Sequence, residues 1–166
     1  MIVVDNFLPF YDRILERSTQ FPYFTCDEEN EKDGTAYFWR GTRTPDVINE
    51  MPILRKFMEN QLGIKLDTFS FHKHEPLPDF MPVLHRDGDY RSAGVIYLKG
   101  GPGCGTIVDN TVVDFKENRL VSYDGQLLHR PQGFLTDRLI LTFFSRERLP
   151  DHLNGWFTRE DPTSHA

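Results

Sequence analysis

Three residues fall in a pattern that suits a divalent metal. His85 and Asp87 stand two apart, and His129 follows 42 residues after Asp87. Residues i and i+2 of a strand face the same way, so His85 and Asp87 can offer an imidazole nitrogen and a carboxylate oxygen to one ion. Two histidines and one carboxylate fill one face of an octahedral metal and leave three positions open. That arrangement suits non-haem Fe(II), which must bind a co-substrate and O₂ together. A His-x-Asp pair is short enough to recur by chance and carries little by itself.

Arg138 adds weight. It opens the run Arg138-Leu139-Ile140-Leu141-Thr142-Phe143-Phe144, in which Arg138, Ile140, Thr142 and Phe144 share one face and Leu139, Leu141 and Phe143 the other. Both faces are nearly apolar, as expected of a central strand. A guanidinium at the end of such a strand is costly unless an anion meets it. An internal carboxylate is the commoner answer, because buried arginines are usually paired within the chain. A ligand carboxylate held bidentately is the other. Between these residues, the apolar run Ala93 to Leu98 contains Tyr97 and is followed by Gly100-Gly101-Pro102-Gly103-Cys104-Gly105-Thr106. Glycines there permit a tight turn and a close backbone approach. A phosphate loop is excluded, since no Gly-Lys-Ser/Thr follows.

Other groups have weaker claims. His72 and His74 form a second i, i+2 pair without a third ligand in context; an exposed strand end is the expectation, with one of the two facing the pocket as the alternative. Tyr37-Phe38-Trp39-Arg40-Gly41-Thr42-Arg43 is aromatic and basic together. It reads first as a strand closing the core edge with arginines reaching to solvent, and second as a surface for an anionic or aromatic substrate. Arg86, Tyr90, Arg91 and Arg130 flank the metal candidates and offer the same two readings. Cys26 and Cys104 lack the flanking His or Lys of an activated thiolate. Trp156 and Phe157 are expected to pack the C-terminal tail onto the domain, with closure of the site's mouth as the alternative.

Elements must position these groups. Ile2 to Val4 reads as a strand. Phe10 to Gln20 reads as a helix ended by Pro22. Residues 27 to 34 read as an acidic loop and Ala36 to Trp39 as a strand. Asp46 is an expected N-cap for a second helix carrying Val47, Met51, Leu54, Phe57 and Met58 on one face, with Gly63 as its stop. From Leu66 onward short strands follow at intervals of about ten residues, including a hairpin turned by Asp109-Asn110. Turns rather than helices join them, which argues for an antiparallel double-sheet jelly roll. The fold class is therefore α+β: a cupin-like double-stranded β-helix buttressed by two N-terminal helices, one domain over 1–166 with its catalytic core at about 66–146.

Composition sets bounds. The chain has 166 residues, a net charge of −6, 13% aromatic residues and no basic block. A disordered chain and a protein that wraps nucleic acid by bulk charge are both disfavoured. No apolar run spans a membrane and no signal peptide is visible. Two cysteines make no disulfide framework, so the expected compartment is the cytoplasm. Oligomeric state is not readable.

Order and spacing together carry a resemblance. His85-x-Asp87, Tyr97-Leu98-Lys99, Gly103-Cys104-Gly105-Thr106, Arg119 to Tyr123, His129 and Arg138 follow one another as in the Fe(II)- and 2-oxoglutarate-dependent oxygenases. The sequence resembles their prolyl-hydroxylase-like branch over roughly residues 66 to 146, with a weaker echo at Asn6-Phe7-Leu8-Pro9. The resemblance implies that His85, Asp87 and His129 bind iron and that Arg138 holds the distal carboxylate of 2-oxoglutarate. Tyr97 and Thr106 match positions lining that pocket. It also implies a dioxygenase using Fe(II), 2-oxoglutarate and O₂, which hydroxylates a protein side chain such as proline, an amino acid or a small metabolite and releases succinate and CO₂. Two departures stand out. The usual glycine pair is Gly103-Cys104, and the segment before His85 lacks the branch's usual tyrosine. The alternatives are a cupin-like metal- or sugar-binding jelly roll that dispenses with Arg138, and a non-catalytic jelly-roll module.

Overall fold

The computed structural model describes residues 1–153. Trp156 and Phe157 lie outside the described residues. The strands are β1 (Ile2–Val4), β2 (Phe24–Thr25), β3 (Thr42–Arg43), β4 (Thr68–His74), β5 (Ser92–Lys99), β6 (Thr106–Val108), β7 (Thr111–Val113), β8 (Leu120–Tyr123), β9 (His129–Pro131) and β10 (Arg138–Ser145). The helices are α1 (Tyr11–Ser18), α2 (Cys26–Asp33) and α3 (Pro52–Leu62). The larger sheet runs β1-β8-β5-β10-β4-β3-β2 and the smaller β7-β6-β9. Every pairing is antiparallel. Two such sheets facing one another form the double-stranded β-helix that the turn-linked strands imply. Among the described residues no helix is long and apolar enough to cross a membrane.

Strand alternation divides the core in two. Leu139, Leu141 and Phe143 of β10 join Phe69 and Phe71 of β4 and Ile96 and Leu98 of β5 in a cluster that receives Leu54, Met58 and Leu62 of α3. Ile140 faces the other way, into a cluster with Val95, Tyr97, Val108, Val121 and Tyr123 between the sheets. Burying each large apolar side chain contributes about 1.5–3 kcal/mol. Gly94 makes room for Phe143, because a Cβ there would run into that ring and the Val121 carbonyl. The β6–β7 turn is the hairpin expected, with Asp109 at φ 46° and Asn110 at φ 65°, the pair of positive angles of a type I′ turn.

The N-terminal third departs from the expectation in three places. First, there are three helices, not two. The stretch expected as an acidic loop is α2, which has no apolar face and is set instead by a capping box. Thr25 Oγ1 accepts from the Glu28 amide, and Glu28 returns a carboxylate oxygen to the Thr25 amide. Second, Ala36 to Trp39 is not a strand. The Tyr37 amide and carbonyl bond to the Asn30 side-chain amide of α2, so they are not available to a ladder. Third, Asp46 does not cap α3. Its Oδ1 accepts from the amides of Ile48 and Phe69, and the helix starts at Pro52, where the missing N–H costs nothing. Gly63 ends α3 in the left-handed conformation, as expected.

Candidate metal centre

His85, Asp87 and His129 come together, each offering one ligand atom, with those atoms all within 4.8 Å of one another. The route differs from simple strand alternation. His85 pairs with His129 through reciprocal backbone hydrogen bonds of 3.0 Å in an isolated bridge beside β9. Asp87 lies beyond it in a turn. Its amide donates to the Gly125 carbonyl at 2.8 Å and its carbonyl accepts from Tyr90 at 2.9 Å. Gly88 supplies the positive φ of that turn.

The three side chains form an acceptor-only cluster. His85 Nδ1 is 3.0 Å from the Val83 carbonyl and His129 Nδ1 is 2.8 Å from the Leu127 carbonyl. A carbonyl can only accept, so in each neutral ring the proton sits on Nδ1 and Nε2 carries the lone pair. His129 Nε2 then lies 2.9 Å from Asp87 Oδ2, and His85 Nε2 lies 3.7 Å from Oδ1. Asp87 Oδ2 is buried and receives no hydrogen-bond donor. Lone pairs converging at this range are unfavourable unless a cation stands among them. Nitrogen and carboxylate donors in this set suit Fe(II), so the residues fit the metal. The carbonyl contacts behind each ring are the outer bonds that orient ligating histidines.

Arg138 occupies the start of β10 at 3% exposure. Its Nε donates to the Cys104 carbonyl at 2.9 Å, and its Nη1 is buried without a partner. Among the described residues no carboxylate lies within ion-pair range of it, so the internal ion pair does not form among them. Burial pulls the guanidinium's pKa below its ordinary value. Beside it, the Tyr97 hydroxyl shares a 2.7 Å hydrogen bond with Thr106 Oγ1. Thr106 lines the cavity, and Tyr97 stands behind it in the inter-sheet core.

The second histidine pair is not an exposed strand end. Ser70, His72 and His74 form the face of β4 that lines the same cavity, opposite the core-facing Phe69 and Phe71. His74 is paired with Arg138 in the β4–β10 register. Its ring stacks on Phe134 at 4.0 Å, touches His72 at 4.3 Å, and buries Nδ1 without a partner. Burial, first of all, lowers its pKa to about 2 and that of His72 to about 4, so both rings are neutral. The sequence did carry a signal for this: a polar face of imidazoles alternating with phenyl rings suits a cavity as well as it suits solvent.

The aromatic-basic segment is also redefined. Phe38, Trp39, Arg40 and Arg43 line the cavity's mouth together with Phe80 and Val83, so the segment does not simply close the core edge. Gly41, at φ 80°, lets the chain pass against the Lys73 carbonyl and the His74 ring where a Cβ would collide. The cavity measures about 600 Å³, and the three metal candidates, Thr106, His74 and Arg138 all line it.

No protein-family model matches the chain, and no curated protein sequence matches it. Solved structures do. One is a prolyl hydroxylase from Trichoplax adhaerens in complex with a hypoxia inducible factor oxygen degradation domain peptide fragment. It is similar at TM-score 0.61 and 12% identity, over 86% of this chain and 81% of that one. A 2OG-Fe(II) oxygenase family oxidoreductase from Burkholderia pseudomallei aligns at TM-score 0.56 and 14% identity, covering 85% and 80%. A prolyl-4-hydroxylase from Pseudomonas putida aligns at TM-score 0.52 and 20% identity, covering 87% and 91%. The chain shares the double-stranded β-helix fold of these oxygenases, as the resemblance implied.

Proposed function

We propose that the protein is an Fe(II)- and 2-oxoglutarate-dependent oxygenase that hydroxylates a protein side chain, amino acid or small metabolite. One observation carries the reading. A single cavity joins the His85–Asp87–His129 cluster, acceptor-only when its rings are neutral, to a buried Arg138 that has no carboxylate partner among the described residues. The first needs a cation and the second an anion. A dicarboxylate that chelates the metal at one end and reaches Arg138 at the other meets both needs.

In this reading His85, Asp87 and His129 hold Fe(II). Bound there with 2-oxoglutarate and O₂, the metal supplies oxidative chemistry that releases succinate and CO₂ and converts a substrate C–H to C–OH. The chain's own work is positional. Arg138 would donate to the distal carboxylate through its unpartnered Nη1, and His74 Nδ1, also buried without a partner, would be a second donor. That role would require the His74 tautomer that carries its proton on Nδ1. The Tyr97–Thr106 hydroxyl pair closes the pocket wall. The Val83 and Leu127 carbonyls fix the proton of each neutral ring on Nδ1, which leaves Nε2 as the ligand atom. The packed inter-sheet core excludes water from the inner end.

Anaerobic Fe(II) with 2-oxoglutarate should give a weak visible charge-transfer band, and succinate should form on admission of O₂. Absence of both overturns the proposal. A band retained in Arg138→Ala but lost in His129→Ala would leave a metal site of the cupin kind and remove the role given to Arg138.

A further inference from the structure

The cavity's mouth carries cationic and N–H donors that no carboxylate among the described residues meets. Arg40 lies over the Phe38 ring at 5.2 Å and over the Phe80 ring at 4.8 Å. No carboxylate among the described residues is within ion-pair range of it. Arg130 spends only Nη1, on the carbonyls of Pro131 and Gln132. Trp39 Nε1 is buried with no partner. Of the other basic residues near the site, Arg43 has a carboxylate partner, and Arg86 and Arg91 do not line the cavity. Arg43 is held bidentately by Glu29, Arg91 lies 3.9 Å from Asp124, and Arg86 Nε donates to the Gln126 carbonyl.

Charge accounting sharpens this, and here the inference rests on the oxygenase reading. A divalent cation together with Arg138 balances Asp87 and the two carboxylates of 2-oxoglutarate. Arg43 balances Glu29. Arg40 and Arg130 are left over, so the loaded cavity keeps a positive surplus in a chain whose net charge is −6. The surplus is one-sided. Beyond Trp39, Glu28, Glu31, Lys32 and Asp33 of α2 line an adjoining groove whose acidic excess disfavours an anion there, whereas Arg40 and Arg130 line the cavity itself. The flat rings of Phe38 and Phe80 hold the Arg40 guanidinium over them, which reduces the entropy lost on binding.

We infer that the primary substrate carries an anionic oxyacid group, carboxylate or phosphate, on an apolar body, with the acid held by Arg40, Arg130 and the Trp39 indole N–H. The body lies among the rings of Phe38, Phe80 and Phe134.

The test uses the full chain loaded with Mn(II) and saturating 2-oxoglutarate, titrated calorimetrically with 3-phenylpropionate, its uncharged amide, and phenyl phosphate. An acid should bind at least about tenfold tighter than the amide, the scale of a charge-assisted hydrogen bond. Arg40→Gln should reduce that preference and Arg40→Gln/Arg130→Gln should abolish it, while 2-oxoglutarate affinity stays unchanged. Trp39→Phe, which keeps a ring and removes the N–H, should weaken the acid severalfold. Whichever acid binds better identifies the oxyacid. Equal binding of acid and amide, no binding, displacement of 2-oxoglutarate by the acid, or a preference that survives in the Arg40→Gln/Arg130→Gln double variant would each overturn the inference. Protein that takes up neither Mn(II) nor 2-oxoglutarate yet still prefers the acid overturns the oxygenase reading instead. Uptake without the preference does the reverse.

Discussion

Arg138 and His74 face one another in the β10–β4 register, and each buries a nitrogen that has no partner. Two unspent polar groups on adjacent strands, with no internal acceptor for either, are costly in an empty protein. The His74 ring cannot swing away easily, since it is stacked on Phe134 and abutted by His72. Its low pKa keeps it from adding a second positive charge beside Arg138, yet leaves it able to donate.

The distal carboxylate of 2-oxoglutarate should therefore feel both residues. Wild-type protein loaded with Mn(II) is expected to prefer 2-oxoglutarate over 2-oxopentanoate, which lacks that carboxylate. His74→Phe keeps the stack and removes the donor. It should reduce the preference by about tenfold without changing the affinity for 2-oxopentanoate. Arg138→Ala should reduce it further. If His74 only packs, both ligands will weaken together in His74→Phe.

Metal binding should depend on all three ligands and not on overall folding. Asp87→Asn and His129→Ala are each expected to weaken Mn(II) binding by at least about 100-fold, beyond the effect typical of outer-shell partners. Electron paramagnetic resonance titration reports the free ion. Unchanged far-ultraviolet circular dichroism will separate ligand loss from unfolding. Retained Mn(II) affinity in Asp87→Asn would remove that carboxylate from the site.

Much of this centre was legible in the sequence because strand patterning is local. The two faces of β10 follow directly from the alternation between Arg138 and Phe144, and the Asp109-Asn110 turn fixes the β6–β7 hairpin. The convergence of His85, Asp87 and His129 followed from motif order. What escaped depended on contacts distant in sequence or on side chains replacing a ladder. Residues 36 to 39 show strand composition, but Asn30 takes their backbone groups. His72 and His74 alternate as an exposed edge would, yet they are covered by Phe134 and Trp39, which arrive from other parts of the chain. The Thr25–Glu28 capping box was visible as Thr-x-x-Glu, but it precedes no apolar run, which is the usual cue.

Acid should destabilise the protein earlier than its carboxylates alone would. His72 and His74 have folded pKa values near 4 and 2, below the ordinary histidine value of 6.5. Between those values the unfolded chain binds protons that the folded chain refuses, so stability rises with pH and falls as pH drops below about 6.5. Asp5 acts lower. Hydrogen bonds from Arg119, then Lys116, hold its carboxyl below the usual range. Its contribution is present above the unfolded value near 4 and lost as pH falls through the folded one. Urea midpoints at pH 7.5, 6 and 5 should decline for wild type and decline less for His74→Phe. An equal decline in both would remove His74 as a cause.

The two faces of β10 should be separable by mutation. Phe143 is fully buried on the helix side, where it fills the space opposite Gly94. Phe143→Ala leaves a cavity there and should cost about 3–5 kcal/mol of unfolding free energy. Arg138, Ile140 and Thr142 point the other way, into the ligand cavity. The strand that carries both sets is clamped by β4 and β5 along its whole length, so loss of one ring should not displace Arg138 from His74. Phe143→Ala is thus expected to lower the urea midpoint while keeping the 2-oxoglutarate to 2-oxopentanoate preference at its wild-type value. A preference that falls in step with stability would mean that packing behind β10, and not the groups in front of it, sets the geometry of the carboxylate pocket.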